Sequence, residues 1–256
     1  MAITLKKPSQ IEALRAANRL VAQAFRQLEQ AVRPGVRLAD LDDLVTAFIE
    51  SQGAKPLYKG YRGSSATQPP FPGTICASIN EEICHGLPDR RRLREGDVVG
   101  IDIGLRLNGW CGDACVTYAV GQIAPETQRL LDVTRECLAL GIEAVQPGAR
   151  LTDIGAAIQQ HAESHGFSVV REWGGHGVGR SLHEEPSVPH VGPPGRGPHL
   201  RTGMVFTIEP MINAGGPAWR LLNDGWTVVT ADGALSAQFE HTIAVTGDGA
   251  SILSQL

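Results

Sequence analysis

The chemistry open to this chain starts from two aspartates in one stretch, Gly100-Ile-Asp-Ile-Gly-Leu-Arg-Leu-Asn-Gly-Trp-Cys-Gly-Asp-Ala-Cys-Val-Thr-Tyr118. Two apolar, strand-like runs flank Asn108-Gly109, the strongest short hairpin signal a sequence carries. With those two residues as the loop, Leu107 pairs with Trp110 and Asp102 lies opposite Cys115. Side chains alternate between the faces of a strand, so Asp113 shares the face of Cys115 and of Asp102. The acids are then diagonal cross-strand neighbours, with Cβ atoms about 7 Å apart. Two carboxylates held that close repel unless something positive lies between them. Either they face solvent on an edge hairpin, or they help to hold a divalent cation. The hairpin alone leaves both readings open.

The elements that must position these acids can be followed along the chain. Ser9-Gln-Ile-Glu12 has the form of a capping box. Ile11, Leu14, Val21, Phe25 and Leu28 then recur at helical spacing until Pro34-Gly35. A second amphipathic helix carries Leu41, Leu44, Val45, Phe48 and Ile49 and ends at Gly53. Residues 54–74 read as a long Gly/Pro/Ser-rich loop, followed by strand-like runs at 74–79, 98–105 and 115–120. After Pro125 the order begins again. One helix runs to Pro147-Gly148, another ends near Gly166, and residues 167–171 read as a strand.

The repetition extends to the letters. Ala31-Val-Arg-Pro-Gly-Val-Arg-Leu-Ala-Asp-Leu41 matches Ala144-Val-Gln-Pro-Gly-Ala-Arg-Leu-Thr-Asp-Ile154, and Gly53 matches Gly166 at the same offset of 113. Farther on, Leu93-Arg-Glu-Gly-Asp-Val-Val-Gly-Ile-Asp102 matches Leu200-Arg-Thr-Gly-Met-Val-Phe-Thr-Ile-Glu209. A period this long implies two copies of a helix–helix–strands unit about a pseudo-twofold axis, within a single domain 1–256 whose halves meet near residues 121 and 122. Asp102 then corresponds to Glu209, and Asp113 to Glu240. The axis would gather all four acids.

Four converging carboxylates cannot all ionise in a shared cleft without cations, and one cation would leave them anionic. Two divalent ions are the natural count, in the manner of hydrolytic sites whose metals sit about 3.5–4 Å apart. A nitrogen ligand would favour manganese, iron, cobalt, nickel or zinc over magnesium or calcium. His176 lies in Gly174-Gly-His-Gly-Val-Gly179, where absent side chains allow close backbone approach. His183 follows in Ser181-Leu-His-Glu-Glu-Pro186, and His85 lies in Cys84-His-Gly-Leu-Pro88. His161 and His165 read as helix-end cations, because His-Ala-Glu-Ser-His is not a zinc-peptidase HExxH. His190 and His199 bracket a Pro/Gly-rich loop and read as surface residues. Arg180 stands where the third glycine of a dinucleotide loop would be. There is no GxSxG elbow.

Bulk properties narrow the class. At 256 residues the chain can bury one large core or two closely packed halves. A net charge of −4 leaves no footprint for nucleic acid, and the basic run Arg90-Arg91-Arg92 with Arg94 reads as a solvated turn beside Asp89, Glu95 and Asp97. Five cysteines without a CxxC pair point to reduced thiols, no structural zinc and a cytoplasmic location. No signal peptide is visible, and no run nears the roughly 18 apolar residues of a membrane span.

Taken together, the motifs resemble the type I methionine aminopeptidases of bacterial form, along nearly the whole chain. The match is carried by Ser78-Ile-Asn-Glu-Glu-Ile-Cys-His-Gly-Leu-Pro88, Ile101-Asp-Ile-Gly with Gly112-Asp113, Gly175-His-Gly-Val-Gly-Arg-Ser-Leu-His-Glu-Glu-Pro186, Phe206-Thr-Ile-Glu-Pro-Met211 and Gln238-Phe-Glu-His-Thr242. The resemblance implies the pita-bread α/β (α+β) fold, with antiparallel sheet inside and helices outside. It implies removal of the initiator methionine from nascent proteins whose second residue is small and uncharged. By the same resemblance Asp102 binds one metal and His176 and Glu209 the other, while Asp113 and Glu240 bridge, with a shared hydroxide attacking the peptide carbonyl. His183 would serve the carbonyl or oxyanion, His85 the scissile nitrogen, and Glu209 the general-base role. Tyr61, Phe71, Cys76, Leu182 and Trp226 match positions lining the methionine pocket. A monomer in transient contact with the ribosome is implied as well.

Two departures bear on the pocket. Residues 64–70 look like an insertion, and Leu182 stands where an aromatic residue is common. Three rival readings have specific counts against them. Prolidase and aminopeptidase P usually carry an extra N-terminal domain. A type II methionine aminopeptidase would have a helical insertion between His183 and Glu209. A metal-free binding relative would have lost the five candidate ligands.

Overall fold

The computed structural model describes residues 2–63 and 68–255. The first half runs α1 (Pro8–Ala31), α2 (Leu38–Ser51), β1 (Lys55–Pro56), β2 (Ile75–Ile79), β3 (Glu82–Cys84), β4 (Val98–Leu107) and β5 (Trp110–Ala119). The second runs α3 (Pro125–Glu143), α4 (Leu151–Ser164), β6 (Ser168–Val169), β7 (Gly175–Gly177), β8 (Glu184–Val188), β9 (Val205–Ile208) and β10 (Met211–Asn213). It closes with β11 (Trp219–Leu221), β12 (Val228–Thr230), β13 (Ser236–Gln238), β14 (His241–Thr246) and β15 (Gly249–Ile252). No helix among the described residues is long and apolar enough to cross a membrane.

Each helix turns its apolar stripe inward. Leu14, Val21, Phe25 and Leu28 of α1 are buried, as are Leu41, Val45 and Ile49 of α2. One apolar core packs α1 and α2 against β2, β4 and β5. Another packs α3 and α4 against β9, β10, β13 and β14. Each fully buried Leu, Ile or Phe in these cores contributes about 1.5–3 kcal/mol relative to exposure. The result is antiparallel sheet inside and helices outside.

The hairpin has the expected register. Leu107 pairs with Trp110, Asp102 with Cys115 and Gly104 with Asp113. Asn108 and Gly109 have φ of 50° and 81°, the left-handed pair that a two-residue turn between twisted strands requires. On its other edge β4 pairs with β2 and β1, setting Asp102 opposite Cys76. In the second half the sheet order is β15-β14-β9-β7-β8.

The duplication is written in the hydrogen bonds. Gly35 donates its N–H to the Leu93 carbonyl at 2.7 Å, and Gly148 donates to Leu200 at 3.2 Å. Leu38 N–H reaches the Arg91 carbonyl just as Leu151 N–H reaches that of Pro198. The isolated bridges Arg37–Arg92 and Arg150–His199 form a third equivalent pair.

Some local expectations were off. Helix α1 starts at Pro8, so Ser9 lies inside it. Proline supplies a pre-set φ at the first helical position, and the Gln10 side chain accepts the Lys7 N–H at 2.8 Å in place of Glu12. The loop 54–74 contains the short strand β1, and the strand expected at 167–171 is only Ser168–Val169. Arg91 is more than a solvated turn residue, because it forms ion pairs with Asp89 and with buried Glu82. Cys76, Cys84, Cys111, Cys115 and Cys137 are buried free thiols.

Candidate active site

Strands β4 and β5 carry Asp102 and Asp113 on one face, and the Tyr58 hydroxyl reaches both, at 2.6 and 2.7 Å. Glu209 directly follows β9, and Glu240 directly precedes β14. The halves are stitched at this point. Glu240 N–H donates to the Cys115 carbonyl at 2.9 Å, and the Thr242 hydroxyl donates to the Asp113 carbonyl at 2.7 Å. Thr117 Oγ1 bonds the Gln238 carbonyl at 2.6 Å. Strand β5 of one half thus abuts the β13–β14 segment of the other, and all four acids line one cavity of about 810 Å³.

His176 lies on β7, between β8 and β9. A Cβ on Gly175 would stand 2.0 Å from the Thr207 carbonyl oxygen, so only glycine permits this approach of strands. The Thr207 hydroxyl accepts the His176 N–H at 2.9 Å and donates to Glu209 Oε1 at 2.7 Å. His176 Nδ1 faces the Gly177 carbonyl at 3.2 Å, which leaves Nε2 turned to Asp113 Oδ2 at 3.5 Å and Glu209 Oε1 at 3.7 Å. Asp113, His176 and Glu240 present potential ligand atoms within 4.8 Å of one another.

Burial dominates the electrostatics. It pushes Asp102 up to about 7, against the weaker lowering by Tyr58, and Glu209 up to about 8. Asp113 and Glu240 are pushed well above the usual carboxylate range by burial and by their acidic neighbours. Burial brings His176 down to about 3 and His85 to about 4, helped in both cases by neighbouring His183, which burial also lowers. Glu240 Oε1 is buried with no hydrogen-bond partner among the described residues. An orphaned carboxylate oxygen, four acids held toward neutrality and a neutral imidazole lone pair fit divalent cations.

The remaining expected residues meet in the same cavity. His85 follows β3 with φ of 56°, and His183 stacks edge-on to His176 with ring centroids 4.3 Å apart. Phe71, Cys76 and Trp226 form one apolar cluster, the two rings meeting edge-to-face at 5.2 Å. Tyr61 is partly exposed at the rim, 6.3 Å from the Trp226 ring, and Leu182 is buried in the wall. Of the insertion at 64–70, residues 64–67 lie outside the described residues. Its end closes on the pocket, with Trp226 Nε1–H donating to the Pro69 carbonyl at 2.9 Å and Gln68 Nε2 to Gly225 at 2.7 Å.

Sequence reasoning missed three partners and misread one. Tyr58 lies in a loop with no period to single it out. Gln238 donates to Glu209 Oε2 at 3.5 Å across 29 positions. Thr207 was findable, since it stands two residues before Glu209 on a strand. His190 is not a surface residue: it is 1% exposed, and its Nε2 accepts the Glu209 N–H at 3.2 Å. His199 is exposed, as expected.

Comparison with known proteins gives the family. Residues 12–247 match the model of metallopeptidase family M24. The chain is 48% identical to methionine aminopeptidase 1 of Bacillus subtilis, covering 99% of this chain and 100% of that one. It is 49% identical to methionine aminopeptidase A of Synechocystis, covering 98% and 97%. The crystal structure of methionine aminopeptidase from Rickettsia prowazekii superposes with a TM-score of 0.95 at 45% identity, covering 99% and 100%. Prolidase from Pyrococcus furiosus shares the fold, at 20% identity and a TM-score of 0.79 over 98% of this chain and 65% of that one. This chain belongs to metallopeptidase family M24, among the methionine aminopeptidases.

Proposed function

We propose that this chain removes the initiator methionine from nascent polypeptides whose second residue is small and uncharged. The observation that carries the reading is one cavity in which Asp102, Asp113, His176, Glu209 and Glu240 face an aromatic-lined apolar pocket, with His85 and His183 alongside.

Two divalent cations would be held by Asp102, Asp113, His176, Glu209 and Glu240. Cobalt, manganese, iron, nickel and zinc all suit this mixed carboxylate–imidazole set. Bound there, the cations supply a Lewis acid for the carbonyl, a water that ionises near neutral pH, and an anchor for the substrate α-amine.

The side chains have separable tasks. Phe71, Cys76, Leu182 and Trp226, with Tyr61 at the rim, take the methionine thioether in a soft apolar wall. His183 keeps an N–H at neutral pH and can donate it to the scissile carbonyl as charge develops on oxygen. His85, which lines the same cavity, would contact the peptide near its scissile nitrogen. Glu209, whose Oε1 accepts from Thr207 at 2.7 Å and whose Oε2 accepts from Gln238 at the longer distance of 3.5 Å, would take a proton from the attacking water at Oε2 and return it to the leaving amine. Burial of the acidic side chains in the cavity lowers the local dielectric and strengthens each of these contacts.

The chain is read as one domain, 1–256, acting as a cytoplasmic monomer that meets its substrate transiently at the ribosome. A panel of Met-Xaa-Ser peptides assayed with each of several divalent metals tests the proposal. Release of methionine should be strong for Xaa of alanine, glycine or serine and weak for large residues. Strong release of N-terminal proline, or indifference to the size of Xaa, would overturn it.

A further inference from the structure

A second group of metal-ligating side chains lies on the outer helical layer. Glu136 of α3 and His161 and His165, at the end of α4, offer ligand atoms within 4.8 Å of one another. No residue of α3 or α4 lines the catalytic cavity. The spacing of the histidines sets both rings on one face of the helix, with centroids 4.4 Å apart. His161 Nε2 already meets Glu136 Oε2 at 2.8 Å across the groove between helices.

We propose that Glu136, His161 and His165 form an auxiliary surface site for a zinc-class divalent transition-metal ion. The donor set is two imidazoles and a carboxylate, which suits zinc and leaves its remaining position to water. Ring orientation supports it. His165 Nδ1 faces the His161 carbonyl at 2.9 Å, so an N–H there donates to backbone and leaves Nε2 as the lone pair for metal. The backbone is anchored as well. Arg129 of α3 donates to the His165 carbonyl at 2.6 Å while lying over the Phe167 ring, which fixes the end of α4 against α3.

The cluster is not a by-product of the duplicated fold. At the offset that relates the halves, the first copy holds Gln23, Phe48 and Gln52, which cannot form such a site. Only the second half carries the three ligands. An ion bound there would tie α3 to α4 and, by binding only the folded chain, raise its stability with zinc concentration.

The test uses the full chain, stripped of metal and dialysed against increasing Zn²⁺, with bound zinc counted per chain by elemental analysis. The His161→Asn/His165→Asn variant should hold one equivalent less than the unaltered chain at saturation. Its cleavage of Met-Ala-Ser should be unchanged, which separates this site from the catalytic cavity. Glu136→Gln, a milder change, should require more zinc to fill the same equivalent. Equal zinc content and equal titration curves for all three proteins would overturn the proposal, whatever the peptidase assay shows.

Discussion

The Tyr58 hydroxyl lies 2.6 Å from Asp102 Oδ1 and 2.7 Å from Asp113 Oδ1, one donor between two acids on opposite strands of a hairpin. Burial, then the two aspartates, hold the phenol well above its ordinary pKa, so it keeps its proton. One O–H cannot donate to both acids. The second short contact is satisfied when the other aspartate is itself protonated, in line with the raised pKa values of the pair. Once cations bind, Tyr58 is free to orient whichever oxygen is not a ligand.

Tyr58→Phe should therefore weaken metal binding and lower kcat/KM by about 10–100-fold, the usual cost of losing an outer partner of a ligand. Metal titration and peptide kinetics check this. Unchanged affinity would reduce Tyr58 to a packing residue.

The metal-free protein should lose stability as pH rises from about 6.5 to 8. Asp102 and Glu209 have folded values of about 7 and 8 against ordinary values of 3.8 and 4.5. Such groups stabilise fully below their unfolded pKa, and that contribution disappears as pH climbs through the folded value. The buried histidines, lowered from 6.5 to about 3 in His176 and His190 and about 4 in His85 and His241, act oppositely, losing stability as pH falls below 6.5. The two sets oppose each other between about pH 4 and 6.5, and only the carboxylates remain linked above it. Each proton linked there changes stability by about 1.4 kcal/mol per pH unit. Thermal melts in chelator at pH 6.5 and 8 should show the decline, and added Co²⁺ or Mn²⁺ should remove it. A flat metal-free profile would contradict the burial argument.

His183→Ala should reduce kcat by about 10²–10³-fold, the typical loss of one oxyanion donor, with a smaller effect on KM. The aromatic wall of Phe71 and Trp226 is untouched by this change, so ground-state binding of methionine persists. Steady-state kinetics on Met-Ala-Ser separate the two terms. A change confined to KM would move His183 from the reacting carbonyl to substrate binding.

His190→Leu strands the Glu209 N–H in a buried site, which should cost about 1–3 kcal/mol of stability. Because that N–H fixes the backbone of a proposed ligand, activity should fall too, even with the protein fully folded. Denaturant melts and kinetics below the melting range check both. His190→Gln, which restores an acceptor, should recover part of each loss.

The parts of this protein legible from sequence are those set by short-range physics. Asn108-Gly109 dictates a two-residue turn, the turn dictates register, and period-two alternation then sets Asp102 and Asp113 on one face. The letter match of residues 93–102 with residues 200–209 carried the pairing of Asp102 with Glu209, and by the same logic that of Asp113 with Glu240. Helical stripes on α1 and α2 followed from apolar spacing, and α3 and α4 from the repeat of that order. Flanking glycines and the repeat already singled out His85 and His183; resemblance to the family added their roles and the pocket residues, which spacing alone left as core side chains.

What the tertiary structure decided lies where one residue meets another far along the chain. Tyr58 has no local signature, and only the approach of its loop to the hairpin puts a phenol between the two acids. His190 sits in a Pro/Gly-rich loop that looks exposed until α4 and the end of β9 bury it beneath Glu209. Gln238 and Thr117 join the halves through bonds that no local pattern encodes. Glu136 acquires two histidine neighbours only because α3 packs along α4. The opening hairpin determined by itself that two acids share a face; the packing of β5 against the β13–β14 segment decided that they share a cavity with Glu209, Glu240 and His176. Local backbone geometry is encoded in adjacent residues, whereas burial, and with it the raised pKa of Asp102, Asp113, Glu209 and Glu240 and the lowered pKa of His176, comes from chain segments that meet only on folding.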